Sequence, residues 1–181
     1  QIFFEKYLLD QYLMRGGKQW WTINPVAVNR DSLFNTGGSA LAVGRSLNMA
    51  SAFFKYGFRL QKDLVKDMYC APVVLANGSQ REAQYLPYPW PYYSLAQPRQ
   101  NELFGNQAGK VLISFPSSID TLNNSLDKTI LIGSSDFSQS LQTPKTIALK
   151  EASEKLNPAL FDQKSQILGL LLEGKFNSAF D

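Results

Sequence analysis

Histidine is absent from the 181-residue chain, and cysteine occurs once, as Cys70. Without histidine, the chain has no Ser-His-Asp or Cys-His catalytic group, no imidazole ligand for zinc and no imidazole pH switch. A single cysteine excludes an internal disulfide and every CxxC site. The composition therefore excludes the commonest hydrolases and zinc proteins, and we expect no metal site and no cofactor.

Long apolar runs and blocks of like charge are also missing. The longest apolar stretch, residues 167–172, is interrupted by Gly169 and falls far short of the roughly 20 residues that a membrane-spanning helix needs. The net charge is only +3, and the basic residues are scattered, so we expect no nucleic-acid partner. The N-terminus has no signal-peptide pattern and no Met. We therefore expect an excised fragment, with the features that define localisation outside it.

The composition is that of a globular protein, with 44% hydrophobic and 18% charged residues. The length suits one domain over 1–181, with a candidate sub-boundary near 77–84. Residues 2–15 carry apolar side chains at helical spacing, Gly16 and Gly17 then end the helix, and residues 18–23 predict a short strand. A helix, a glycine turn and a strand are typical of half a βαβ unit. The sequence thus predicts an α/β fold with a mostly parallel sheet flanked by helices, incomplete at its N-terminus.

Local patterns predict the other elements along the chain. Residues 26–47 are polar and predict a long surface loop, and residues 133–136 predict a turn before a short helix. The remaining predictions are strands at 64–65, 73–75, 110–115, 129–132, 146–149 and 167–172, and helices at 49–56 and up to about 155.

The most unusual segment is residues 85–93, YLPYPWPYY, in which aromatic residues alternate with prolines. Proline excludes a helix and holds the backbone extended, so the rings project at fixed positions. Two interpretations stay open: the rings fill the core, or they stack on a sugar or contact a protein partner. The candidate binding residues are Tyr85, Tyr88, Trp90, Tyr92 and Tyr93.

Few other residues suggest chemistry. Cys70 is the one strong nucleophile, but no histidine can serve as its base, and a small buried hydrophobic role is the alternative. Ser134 follows an apolar strand but lacks the spacing of a nucleophile elbow. Asp63 and Asp67 are four residues apart without a calcium-loop pattern, so we expect them on a solvated face.

Several sequence blocks together resemble one protein family, the gliding-motility-associated ABC transporter auxiliary component of Bacteroidetes, of the GldG type. These blocks occur in a fixed order and span nearly the whole chain: KYLLDQYLMRGGK (6–18), INPV (23–26), DSLFNT (31–36), DLVKD (63–67), CAPV (70–73), WPYY (90–93), SIDT (118–121) and LLEGKF (171–176).

The resemblance implies an inner-membrane protein with this region facing the periplasm, anchored by segments outside the fragment. It also implies partnership with an ABC permease and an ATPase, which carry the ATP chemistry. The implied fold is Rossmann-like, similar to class I glutamine amidotransferases, and used for ligand binding without catalysis. In that context Ser32 and Thr121, each after an aspartate, match a short O-glycosylation pattern; an Asx turn or helix cap is the alternative.

We therefore expect a non-enzymatic, extracytoplasmic auxiliary domain of an ABC transport system that binds a ligand or the transporter's partners. The first alternative is a carbohydrate-binding module that uses the segment from Tyr85 to Tyr93, with a glycan or another small molecule as ligand. The second is an amidotransferase-like or hydrolase-like enzyme that uses Cys70.

Overall fold

Strands dominate the computed structural model, which describes residues 2–78, 83–99 and 109–180. The helices are α1 (Ile2–Met14) and α2 (Ala50–Lys55), with a π-helical turn at Ser32–Thr36 and 3-10 turns at Leu149–Ser153 and Pro158–Leu160. The strands are β1 (Val26–Val28), β2 (Ser39–Gly44), β3 (Phe58–Leu60), β4 (Asp63–Asp67), β5 (Cys70–Asn77), β6 (Gln84–Pro98), β7 (Val111–Ser114), β8 (Ile119–Thr121), β9 (Asp127–Gly133), β10 (Ser138–Gln142), β11 (Lys145–Ala148) and β12 (Ile167–Glu173).

The long strand β6 organises the largest sheet, whose order is β12-β9-β6-β5 with β7 also beside β6. Its first half pairs with β5, its middle pairs with β7, and its last two residues pair with β9. The prolines in β6 keep the backbone extended but cannot donate hydrogen bonds to a neighbouring strand. The register with β5 accordingly shifts between Cys70 and Pro72, opposite the proline-rich part, and the sheet curls into a half-barrel.

The predicted parallel α/β sheet is wrong, because every strand pair in the described residues is antiparallel. The inference depended on a strand at residues 18–23 after α1, and that segment is not a strand. Strands β5 and β6 instead follow one another through a short connection, which antiparallel strands permit and the crossover of a parallel pair does not.

Three smaller antiparallel groups complete the architecture: β1-β2-β11, β4 with β10, and β3 with β8. They correct two further local predictions. Residues 26–47 are not one long loop, because they form β1, the π-helical turn and β2. The turn at residues 133–136 leads into β10 and not into a helix. The predicted sub-boundary near 77–84 lies at the β5–β6 connection, where residues 79–82 are outside the described part and Asn77 pairs with Gln84.

The buried side chains form two clusters. The larger lies between the sheets, and its bulkiest members are Trp90, Tyr92, Phe115, Leu33, Leu64 and Ile147. The smaller surrounds α2 and contains Ala52, Phe53 and Tyr56, with the Phe53 ring stacked on Phe58 at 4.8 Å between centroids. Aromatic side chains therefore supply the bulkiest members of both clusters, while others, such as Trp20 and Tyr85, are exposed.

Helix α1 presents an apolar stripe to solvent. Phe4, Leu8 and Tyr12, spaced four residues apart, are 62%, 50% and 55% exposed. The polar residue Asp10 is instead buried at 1% exposure. In the part of the chain that the structure describes, no helix is long and apolar enough to cross a membrane.

Asp10 joins α1 to two distant segments. Its carboxylate accepts hydrogen bonds from the Tyr56 hydroxyl at 2.7 Å, from the Ser178 hydroxyl at 2.8 Å and from the Ala179 N–H at 2.8 Å. Burial by itself raises the pKa of Asp10, but these hydrogen bonds outweigh it and hold the pKa below the ordinary value.

We expect Asp10 to stabilise the folded protein near neutral pH and to lose this contribution in acid. Because its folded-state pKa is lowered, its contribution is complete above the ordinary value of about 4 and is lost as the pH falls through the folded-state pKa. Asp10→Asn should reduce the free energy of unfolding at pH 7 by about 1–3 kcal/mol and flatten its decline below about pH 4. Urea unfolding between pH 2.5 and 7 measures both effects, and an equally steep acid decline in the variant would contradict them.

Candidate functional site

The structure separates the five aromatic candidates of β6 by exposure. Tyr85 is 73% exposed, Tyr88 and Tyr93 are half-buried, and Trp90 and Tyr92 are fully buried. For Trp90 and Tyr92 the geometry matches the core-packing interpretation. The hypothesis that these residues bind a ligand stays a prediction, and a ligand at the surface would reach Tyr85 first.

Tyr92 takes part in a half-buried polar cluster beneath the 3-10 turn at Leu149–Ser153. Its hydroxyl donates to Glu151 at 3.2 Å, and the Lys66 ammonium lies 3.6 Å from the same carboxylate and 5.0 Å from the centre of the Tyr92 ring. Burial, and then the charge of Glu151, raise the pKa of Tyr92. The cluster fixes the 3-10 turn on the core, which is a structural role.

Cys70 lies half-buried at the start of β5. Burial raises the pKa of the Cys70 thiol, the negative charge of Asp67 raises it further, and a hydrogen bond with the Trp90 backbone only partly opposes them. The thiolate is the reactive form of cysteine, so a raised pKa makes Cys70 a poor nucleophile at neutral pH. This environment does not support the enzyme hypothesis.

Asp63 and Asp67 do not lie on a solvated face, and that prediction is wrong. Both are buried at opposite ends of β4, with 1% and 0% exposure. Asp67 accepts four hydrogen bonds: from the Tyr69 N–H, the Ser94 hydroxyl, and the N–H and hydroxyl of Ser135. The serines that donate hydrogen bonds to these two carboxylates come from distant strands and loops, so no pattern around residues 63–67 could have revealed the burial.

The two candidate glycosylation positions differ in accessibility. Thr121 is exposed at the end of β8, and Ser32 is half-buried at the start of the π-helical turn. Asp120, the residue before Thr121, forms an ion pair with Arg59 at 2.7 Å. Modification at either position stays a prediction.

A cleft of about 370 Å³ lies between the segment after β2, helix α2 and strand β3. Its wall combines apolar residues, among them Phe53 and Leu60, with the hydroxyls of Ser46 and Ser51. Three cationic residues also line it: Arg45, Arg59 and Lys62. None of the described residues that line the cleft is acidic.

Local backbone features shape this cleft. The absence of a side chain at Gly44 leaves room for Lys62, because a Cβ at Gly44 would lie 2.7 Å from Lys62 Cδ. Asn48, on the rim, has a left-handed backbone with φ of 54°, which asparagine tolerates better than most residues. The sequence interpretation missed the cleft because Arg45 lies in a different segment from Arg59 and Lys62, and the three cations form no motif.

The chain was compared with known proteins in three ways. The model of the family described as "ABC-type uncharacterized transport system" matches residues 4–181. Neither the curated proteins nor the solved structures gave a match. The matched region covers almost the entire chain, so this chain belongs to that family and is an auxiliary component of an ABC-type transport system.

Proposed function

We propose that this chain is a non-enzymatic, extracytoplasmic domain that assembles with the permease and ATPase subunits of an ABC transporter of the gliding-motility-associated type. In this proposal the protein belongs to the inner membrane and the domain faces the periplasm. The observation that carries the proposal is the family match over residues 4–181. ATP binding and hydrolysis would belong to the partner subunits.

The environment of the candidate nucleophiles supports a role without catalysis. Cys70 has a raised thiol pKa, and the chain has no histidine to deprotonate it. The Ser135 hydroxyl donates to Asp67 at 2.6 Å, and the Ser134 hydroxyl donates to a backbone carbonyl at 3.0 Å. Both serines are buried, so their hydroxyls serve the fold and do not face a substrate.

The surface of α1 supports a role in assembly. An exposed apolar stripe is typical of a surface that another protein covers. In addition to the stripe of Phe4, Leu8 and Tyr12, the segment after α1 carries Trp20, which is 83% exposed. Since the family places this chain in a transport system, we assign the permease subunit as the partner that covers the stripe.

We expect the full-length protein to co-purify with its permease from detergent-solubilised membranes. Leu8→Ser together with Tyr12→Ser should reduce the recovered permease at least tenfold, because the substitutions remove the apolar contact area that the Leu8 and Tyr12 side chains offer the permease. Tyr85→Ser, at an exposed aromatic position on β6, is the control and should leave recovery unchanged.

Two results would contradict this function. One is equal recovery of the permease with the stripe variant and with the control. The other is a cytoplasmic location, which an alkaline phosphatase fusion would report as inactive enzyme. A correctly folded stripe variant, shown by unchanged urea unfolding, is required for the comparison.

Carbohydrate binding is the second candidate function, and the exposure of Tyr85 favours it. An exposed tyrosine ring offers a flat apolar face with a polar edge, which suits stacking on a sugar. Tyr85 is therefore the residue whose replacement reports on glycan binding, whereas replacement of Trp90 would report on core packing.

A further inference from the structure

The cleft between the end of β2, helix α2 and strand β3 is lined by both cationic and apolar residues. Arg45, Arg59 and Lys62 supply the charge, while Phe53 and Leu60 supply the apolar surface. At about 370 Å³ it falls within the size range of small-molecule sites, roughly 300–1,000 Å³. A molecule that fits it must satisfy both kinds of surface.

The charge in this cleft is only partly compensated. Arg59 pairs with Asp120 through Nη2, and Gln61 donates to the same carboxylate. That contact uses one of the five N–H donors of a guanidinium, so Arg59 retains donor capacity. Arg45 and Lys62 are exposed residues that line the cleft, and the lining within the described residues holds no carboxylate to neutralise them.

Such an arrangement favours anions. Charges of one sign at a low-dielectric wall concentrate the field inside a cleft and attract ions of the opposite sign. Arginine donors match the two oxygens of a carboxylate or phosphate, and lysine contributes a compact charge. The hydroxyls of Ser46 and Ser51 add hydrogen-bonding groups to the same lining.

We propose that this cleft binds a small organic anion, with a carboxylate or phosphate monoester held by Arg45, Arg59 and Lys62 and an apolar body resting on Phe53 and Leu60. This binding site goes beyond the proposed assembly function, since it lies on α2 and β3 and not on the α1 stripe. The anion is proposed as a bound ligand, and the proposal includes no chemical reaction.

The experiment titrates phenyl phosphate, benzoate and benzyl alcohol separately into the purified protein and follows each by isothermal calorimetry and by NMR shifts. Both anions should bind saturably, and benzyl alcohol, which has the same ring without the charge, should bind at least tenfold more weakly. Raising NaCl from 50 to 300 mM should weaken binding of the anions, because salt screens the cleft. Comparison of the two anions distinguishes a phosphate site from a carboxylate site.

The decisive variant is Arg45→Gln together with Lys62→Gln, which should weaken anion binding at least tenfold. Lys150→Gln together with Lys155→Gln removes the same charge from an exposed region outside the cleft and should leave binding unchanged. Equal affinity in the two variants, or no binding of either anion at about 10 mM, would overturn the proposal. Neither result would affect the permease co-purification, so the two proposals fail independently.

Discussion

Trp90→Ala should lower the free energy of unfolding by about 3–5 kcal/mol, the range measured when large buried aromatic side chains are truncated. Trp90 is fully buried in the main cluster, and its ring lies 5.1 Å from that of Tyr92. Its removal leaves a cavity that the rigid β6 backbone cannot fill. Urea unfolding followed by circular dichroism measures the loss.

Trp90→Phe makes this prediction specific. The indole Nε1 of Trp90 is buried and has no hydrogen-bond partner in the described part of the chain. Phenylalanine keeps an aromatic ring and removes that N–H without leaving a partner unsatisfied, so it should cost only about 1–2 kcal/mol. Tyr85→Ala, at an exposed position of the same strand, should change stability by less than about 0.5 kcal/mol. A Trp90→Ala protein as stable as the wild type would show that Trp90 is not part of the core.

Asp67→Ala is expected to cost about 3 kcal/mol or more. The substitution leaves the N–H groups of Tyr69 and Ser135, and the hydroxyls of Ser94 and Ser135, without their acceptor, and the Ser94 and Ser135 donors are buried. Each unsatisfied buried polar group costs about 1–3 kcal/mol, and relaxation recovers part of the sum. Because these donors lie on three separate segments, the variant should also loosen the contacts among β4, β6 and the turn before β10.

Asp136→Ala is the matched control for Asp67→Ala. Its side chain is 73% exposed and its ion pair with Arg99 spans 3.9 Å, so its loss should cost less than about 0.5 kcal/mol. Asp67→Asn should fall between the two, because an amide retains one acceptor oxygen but adds an N–H group facing donors. The prediction is wrong if urea unfolding gives Asp67→Ala and Asp136→Ala the same midpoint.

Local elements were predictable where the signal is contained within a few neighbouring residues. The helical spacing of residues 2–15 and the Gly16–Gly17 stop correspond to α1, and the segment at 49–56 corresponds to α2. Short runs of β-branched and other apolar residues correctly predicted the strands β4, β5, β7, β9 and β11. Alternating prolines correctly predicted an extended backbone over 85–93, since proline restricts its own φ wherever it occurs.

The candidate site was much less predictable. The proposed anion-binding cleft needs Arg45, which follows β2, to meet Arg59 and Lys62 at the end of β3, and only the fold brings these two segments together. The same limit applies to Asp63 and Asp67, whose spacing suits a solvated face as well as a buried strand. Their burial depends on serines such as Ser118 and Ser135, which are more than 50 residues away in the chain.

By itself, the sequence determined which sites the lack of histidine and of a second cysteine excludes, and it determined most of the local elements. It also carried the family resemblance, and the family match confirmed that the chain is an auxiliary component of an ABC-type transport system. The tertiary structure decided that the sheets are antiparallel, that Trp90 and Tyr92 lie in the core and Tyr85 at the surface, and that three cations share a cleft. The physical reason is the range of the interactions. Backbone propensities act between near neighbours, whereas strand pairing, burial and charge clustering depend on residues that are distant in sequence and adjacent only after folding.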